Sequence, residues 1–447
     1  MGSVTIGLDI GTTSVKAVAV DDQGVIVARS RVPHRLIVPA PERMEHDAGQ
    51  AWRRGPRRAL AALGNVDARA IGLASMVPSL TAVDARGRPL TPGLLYGDAR
   101  GRRPTEAGGP GPEGSGEVVE FLRWTAAAAP HAASYWPAPA VANRALGGAA
   151  AIDLGVAFTS VPLYGTGGWD AALCEACGVR PEQLPVVEMT GSAIGRLDGD
   201  GPVLTAGSVD VWCEQLVAGA GRAGDVHVIC GTTLIVWAVV PGAPEVPGLW
   251  TVGHRTPGCS LVGGASNAGG LFVDWATGLL GPARRGANPV EGVDPEHVPV
   301  WVPYPRGERT PYHDPDRRAA LHDLDLTHGP AAIRRAAWEA SGFVVRHLLD
   351  LAGVRPGRVV ATGGGTQSAG WMQALADATA ASVHVAAAPE GAARGAAFLA
   401  RVAGGLETDF NEAERWARTG RVVDPDPQWV APMDGRYRRF VELSETR

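Results

Sequence analysis

The chain has 447 residues, too many for one hydrophobic core and enough for two domains of about 200 residues each. Its hydrophobic fraction of 45% lets both halves bury a core. A net charge of −5 with dispersed basic residues argues against a nucleic-acid or membrane-surface protein, and no apolar run approaches a membrane span.

The N-terminus opens on a strand pattern at residues 4–10 rather than on a basic-then-apolar leader. The turn Gly11-Thr12-Thr13 leads to a second strand at 14–20. Asp21-Asp22-Gln23-Gly24 then turns the chain into a third strand at 24–30. A helix is predicted over 49–63, strands at 71–73 and 80–83, and a turn at Asp84-Ala85-Arg86-Gly87. Residues 103–117 are dense in proline and glycine and predict a lid or loop outside the core. Asp170 to Cys177 reads as a helix carrying a lone CxxC, Cys174 and Cys177. No second Cys or His pair completes a zinc site, and the cysteine count of five is odd. A reduced, cytoplasmic protein is the expectation.

The second half repeats the opening. A strand at 226–230 runs into Gly231-Thr232-Thr233, then a strand at 234–240 and a third near Leu261-Val262. The two Gly-Thr-Thr turns lie 220 positions apart, too far for a solenoid repeat. The spacing fits a duplicated domain with a cleft between the copies. An irregular stretch covers 281–299. A long amphipathic helix follows over 331–351, with Pro330 suited to its first position. A strand at 358–362, the turn Gly363-Gly364-Gly365 and a helix over 368–379 come next.

Chemistry is concentrated at the turns. Glycine lets the backbone approach an anion closely, and backbone N–H groups and threonine hydroxyls donate to phosphate oxygens. Two such turns can grip a polyphosphate from two sides. Of 41 lysine and arginine residues one is a lysine, Lys16, just past the first turn. Its isolation also fits codon drift in a GC-rich genome, as does the Ala/Gly/Arg-rich composition. Asp9 ends the first strand at the mouth of the turn, where an acid holds Mg²⁺ or simply caps the turn. Asp210 precedes an apparent helix, Val211 to Ala218. There it is a plain N-cap, or a carboxylate held ionised by the helix dipole to accept a hydroxyl proton. The three-glycine turn suits a nucleotide or close packing of strand and helix.

Together these pieces resemble the FGGY carbohydrate kinases, over nearly the whole chain. The resemblance is carried by Gly7-Leu8-Asp9-Ile10-Gly11-Thr12-Thr13-Ser14-Val15-Lys16, by Arg88 to Arg100, and by Ala206-Gly207-Ser208-Val209-Asp210. It continues in Gly224-Asp225-Val226 leading to Gly231-Thr232-Thr233, in Pro303-Tyr304 with Gly307-Glu308-Arg309-Thr310-Pro311, and in Gly363 to Asp377. It implies an α/β fold of two ribonuclease H-like (actin-like ATPase) domains with a cleft between them. Residues 1–220 would form the sugar-binding side and 221–447 the ATP-binding side. It also implies Asp210 as catalytic base, Asp9 in the Mg²⁺ site, and Gly11, Thr12, Thr13, Lys16, Gly231, Thr232 and Thr233 at the phosphates. Gly364, Gly365 and Gln367 would sit at the adenosine, and Asp98 and Arg100 near the sugar. Gly307-Glu308-Arg309 would line the cleft, or stand as a solvent-facing charged turn.

The departures from the xylulose-kinase branch bear on substrate. Its Gln-Met-His loop reads Met76-Val77-Pro78 here, its Asp-Asn pair reads Asp210-Val211, and its Trp-x-Asp-x-Arg begins with Tyr96. The stretch from Val118 to Asp170 is short for the family. The reading is an ATP- and Mg²⁺-dependent kinase acting on a small sugar or polyol, with no nucleic-acid or membrane partner and a homodimer left open. Its rivals are an actin-class nucleotide-binding regulator and a sugar-binding protein without transfer activity.

Overall fold

A computed structural model of the chain describes residues 3–40, 43–101, 117–281 and 292–446. The predicted lid lies outside the described residues except for Glu117, which begins a helix, Glu117–Ala128. Most of the irregular stretch at 281–299 lies outside them too. The chain forms two compact units, residues 1–217 with 390–416 and residues 218–389 with 417–447.

The first unit is built on a seven-stranded sheet. Val4–Ile10, Ser14–Val20 and Ile26–Pro33 form an antiparallel meander. Val4–Ile10 is buried along nearly its whole length, as a central strand must be. Ile26–Pro33 alternates between half-buried and exposed, as an edge does. Ala68–Ser75 lies parallel to Val4–Ile10 on its other side. Ser208–Val209 pairs in parallel with the end of Ala68–Ser75.

The second unit has its own seven-stranded sheet with the same central logic. Asp225–Cys230, Leu234–Pro241 and Cys259–Ser266 are antiparallel neighbours, and Arg358–Thr362 runs parallel to Asp225–Cys230. The two openings therefore lie in separate sheets with matching strand order, as duplication requires. An edge strand that the sequence did not signal, Trp250–Gly253, pairs with Cys259–Ser266.

The long helix is Pro330–Leu351, with proline at its first turn. Its interior face is not wholly apolar. Arg335 and Glu339 are buried there and join Asp377 and Arg436 in an ionic cluster.

The units differ from a single cut at residue 220 in one segment. Residues 390–416 belong to the first unit although they follow most of the second. The helix Gly391–Ala403 is rich in alanine and glycine, so its backbone lies directly on the first sheet. A Cβ at Gly7 would collide with the Ala393 carbonyl oxygen, and one at Gly72 with that of Ala396. Thr5 donates to the Ala397 carbonyl at 2.9 Å, and Arg401 pairs with Asp22 at 2.7 Å.

Candidate functional site

The parallel registers of the first sheet bring three chain segments to one edge. Ile10 and Val209 are both partners of Ser75. Gly11, Met76 and Asp210 thus leave the sheet side by side, at the carboxyl ends of its strands, where open α/β sheets bind ligands. The hairpin register also sets Asp9 opposite Lys16, and the two side chains pair at 3.3 Å.

Asp9 is buried, and burial pushes its carboxyl above the usual range, with Lys16 only partly offsetting this. Asp9 in turn raises the Lys16 ammonium, with Glu214 and Glu390 adding to the effect. Asp210 is half-buried and opens the helix Asp210–Ala218. Its Oδ1 accepts from the Val211 N–H at 2.7 Å. Burial, followed by the charges of Asp9 and Glu214, lifts the Asp210 pKa to about 8. The expectation that the helix N-terminus holds this group ionised is thus reversed. Desolvation and like charge outweigh the dipole and the backbone donor.

Sequence reasoning left Glu390 out. It lies 180 positions past Asp210 and shows only as a non-glycine residue in the left-handed region, φ 62°, at the start of Gly391–Ala403. Its Oε2 is buried with no hydrogen-bond partner. Glu214 sits one helical turn from Asp210 and so shares its face. Asp9, Asp210, Glu214 and Glu390 thus act on the field around one ammonium. That excess of carboxylate, with an orphaned oxygen, fits a hard divalent cation.

The first Gly-Thr-Thr turn is braced from behind. The Thr12 carbonyl accepts from His46 Nε2 at 2.8 Å, and His46 Nδ1 accepts from Trp52 Nε1 at 3.0 Å. Those two bonds fix the neutral tautomer with its proton on Nε2, and burial lowers His46 to about 4. Thr13 accepts from the His34 N–H. The Thr12 hydroxyl bonds the Tyr96 hydroxyl at 2.9 Å, which gives the Trp-to-Tyr departure a local reason.

The residues expected near the sugar divide. Met76 is buried in the core, while Val77 and Pro78 are half-buried. Asp98 is fully buried and accepts from the Met44 N–H at 2.6 Å and from Arg100 at 2.7 Å. Arg100 also reaches Glu45 at 2.7 Å and lies over the Trp124 ring. Asp98 and Arg100 are brought together, but their charges are spent on each other and on Glu45.

In the second unit the Gly231-Thr232-Thr233 turn is a tighter hairpin, with Cys230 opposite Leu234. Ile229 and Ile235 stand where the first copy has Asp9 and Lys16, so this turn has no carboxylate beside it. The Gly231 and Thr232 carbonyls accept from the N–H groups of Gly270 and Leu271, at the start of Gly270–Gly278. In the three-glycine turn, a Cβ at Gly363 or Gly365 would strike the Cys230 carbonyl, whereas Gly364 faces open space. Two of the three glycines are explained by packing, and Gly364 presents bare backbone beside the exposed Gln367.

Glu308 is not in a solvent-facing turn. It is buried and accepts from Ser266 Oγ at 2.7 Å and from the Asn267 N–H at 3.1 Å, tying its loop to the end of Cys259–Ser266. Burial pushes its carboxyl up to about 7. Cys174 and Cys177 are buried in a hydrophobic cluster, and burial raises the Cys174 thiol to about 11, the reverse of a reactive thiolate. Among the described residues no helix is long and apolar enough to cross a membrane.

Residues 4–106 match the N-terminal domain of the FGGY family of carbohydrate kinases, and residues 226–404 match its C-terminal domain. The chain is 27% identical to the xylulose kinase of Escherichia coli K12, covering 98% of each chain. It is 26% identical to glycerol kinase 2 of Streptomyces avermitilis, covering 96% of this chain and 93% of that one. The crystal structure of xylulose kinase from Rhodospirillum rubrum superposes with a TM-score of 0.81 at 28% identity, over 99% of this chain and 98% of that one. This likeness sets aside an actin-class regulator and fixes the fold as the two-domain, actin-like ATPase type. Both family domains, matched in order along the chain, make this protein a member of the FGGY family of carbohydrate kinases.

Proposed function

We propose that the protein transfers the γ-phosphoryl group of ATP, with Mg²⁺, to a hydroxyl of a small sugar or polyol. The acceptor binds in the first unit and the nucleotide mainly in the second. The observation that carries this reading is Asp210, a half-buried carboxylate at the carboxyl edge of the sheet whose pKa is lifted to about 8. A base is most effective with its pKa near the operating pH. The acceptor oxygen bonds the γ-phosphorus, the bond to the ADP oxygen breaks, and the hydroxyl proton passes to Asp210. Asp9 and Glu390 would supply oxygens for the metal, which when bound would neutralise charge on the phosphates. Lys16 and the Thr12 and Thr13 turn hold phosphate oxygens, held in place by His46 and Tyr96. Thr232, Thr233 and the bare backbone of Gly364 serve the nucleotide. Its substrates and its free cysteines, four of the five buried, suit the cytoplasm.

Relatives named for xylulose and for glycerol leave the acceptor open within this class. Met76 and Pro78 offer no side-chain hydrogen bond where the xylulose branch has Gln and His. D-Xylulose is therefore expected to rank below another acceptor in kcat/KM. The test is coupled ADP detection over pentuloses, hexuloses and polyols, with and without Mg²⁺, for the wild type and Asp210→Asn. Acceptor-dependent ADP release that falls roughly 10²-fold or more in the variant supports the reading. Near-normal turnover by Asp210→Asn removes that residue from the mechanism.

A further inference from the structure

We propose that the acceptor carries a short apolar end, such as a terminal methyl group, and that this end seats in a recess beside Val77 and Pro78. The inference rests on the kinase reading above and names the chemistry of its substrate. The recess lies wholly within the first unit. Val77, Pro78, Ile152, Val156, Leu163 and Trp169 form much of its wall.

Two observations join it to the reaction site. Val77 and Pro78 continue the strand Ala68–Ser75, whose last residue, Ser75, is the register partner of Val209. Val209 packs on the same small cluster as Val77, Ile152, Val156 and Trp169, and the next residue is Asp210. The apolar wall is therefore continuous with the residue that delivers the base.

Four polar side chains of the wall, Ser79, Tyr135, Thr159 and Trp169, each hold a hydrogen bond to the backbone. Ser79 Oγ accepts from the Ala138 N–H at 3.1 Å, and the Tyr135 hydroxyl donates to the Ala129 carbonyl at 3.0 Å. The Thr159 hydroxyl donates to the Val156 carbonyl at 2.7 Å, and Trp169 Nε1 donates to the Pro185 carbonyl at 3.0 Å. A hydroxyl placed here would give up water and face a wall made mostly of aliphatic and aromatic side chains. A methyl group loses nothing polar on entry and gains contacts.

The experiment uses matched pairs of ketoses or polyols that differ only in ending with CH₃ or CH₂OH. ADP release gives kcat/KM, and calorimetry without nucleotide gives affinity. The methyl-ended member is expected to be preferred about tenfold or more. Val77→Thr and Val156→Thr keep shape and add a hydroxyl, and both should shrink that preference. Equal use of each pair, preference for the CH₂OH member, or an unchanged preference in both variants overturns the proposal. If no compound releases ADP, the kinase reading fails by itself. Calorimetry then still decides the recess: tighter binding of the methyl-ended member supports it, and equal or weaker binding overturns it.

Discussion

At Asp210 the protein sets desolvation and like charge against a helix N-terminus, and desolvation wins. The consequence is a sign. A base acts when deprotonated, so a raised pKa leaves little active enzyme at low pH. For the wild type, kcat/KM should rise with pH through the neutral range, with a midpoint below the value of about 8 that holds without a cation. A cation near Asp9 favours ionisation of Asp210, so raising Mg²⁺ should move the midpoint to lower pH. A profile that is flat from pH 6 to pH 9 would speak against Asp210 as the base. In the proposed mechanism Asp9 and Thr12 belong to the part common to all acceptors. Asp9→Ala should depress turnover on every sugar alike and weaken the Mg²⁺ dependence. Thr12→Val should act through ATP in the same acceptor-independent way, and it also removes the bond to Tyr96. A defect confined to one sugar would move either residue to the acceptor side. Asp9, Lys16 and Asp210 were legible in the sequence because their spacing around a turn or helix start is local. His46, Trp52 and Glu390 were not. They reach the site through tertiary packing, and only a left-handed backbone marks Glu390.

Among the elements, the strands were read most readily, since a buried central strand and a Gly-Thr-Thr hairpin announce themselves by composition. The helix Pro330–Leu351 was legible in its length and its proline start, but not in what it buries. Its apolar stripe conceals Arg335 and Glu339, which look like solvated positions in sequence. Glu339 accepts from Arg335 Nε at 2.7 Å and from Arg436 Nε at 2.8 Å, and Asp377 takes the other arm of Arg335 at 2.7 Å. This cluster ties the helix to Ala369–Thr379 and Pro427–Glu445. Removing one partner of a buried ionic group strands the others, at a cost of about 3–5 kcal/mol. Glu339→Ala should therefore lower stability by that order in urea or guanidinium unfolding, with Glu339→Gln less severe. A loss below about 1 kcal/mol, the scale of an exposed pair, would show that the cluster is solvated.

For the whole molecule, the least legible feature is which stretch of chain completes which unit. Duplication of the opening suggests one cut near Ala220, yet the first unit recovers residues 390–416 from beyond most of the second. No local pattern says that an alanine-rich helix will lie on a sheet formed by residues almost 400 positions earlier. The glycines that permit it, Gly7 and Gly72, carry no local mark of the helix they admit. The packing is substantial. Val18, Val20, Cys213, Leu216 and Val217 share a buried cluster with Ala396, Phe398, Leu399 and Trp416. A fragment of residues 1–217 would expose that whole face to water, and a contiguous apolar surface of this kind drives association. The fragment is expected to bind a hydrophobic dye and to melt without a cooperative transition. The same fragment joined by a flexible linker to residues 390–416 should recover a cooperative melt and lose dye binding. Cooperative unfolding of 1–217 alone, with no dye bound, would show that the first unit does not need the returning segment.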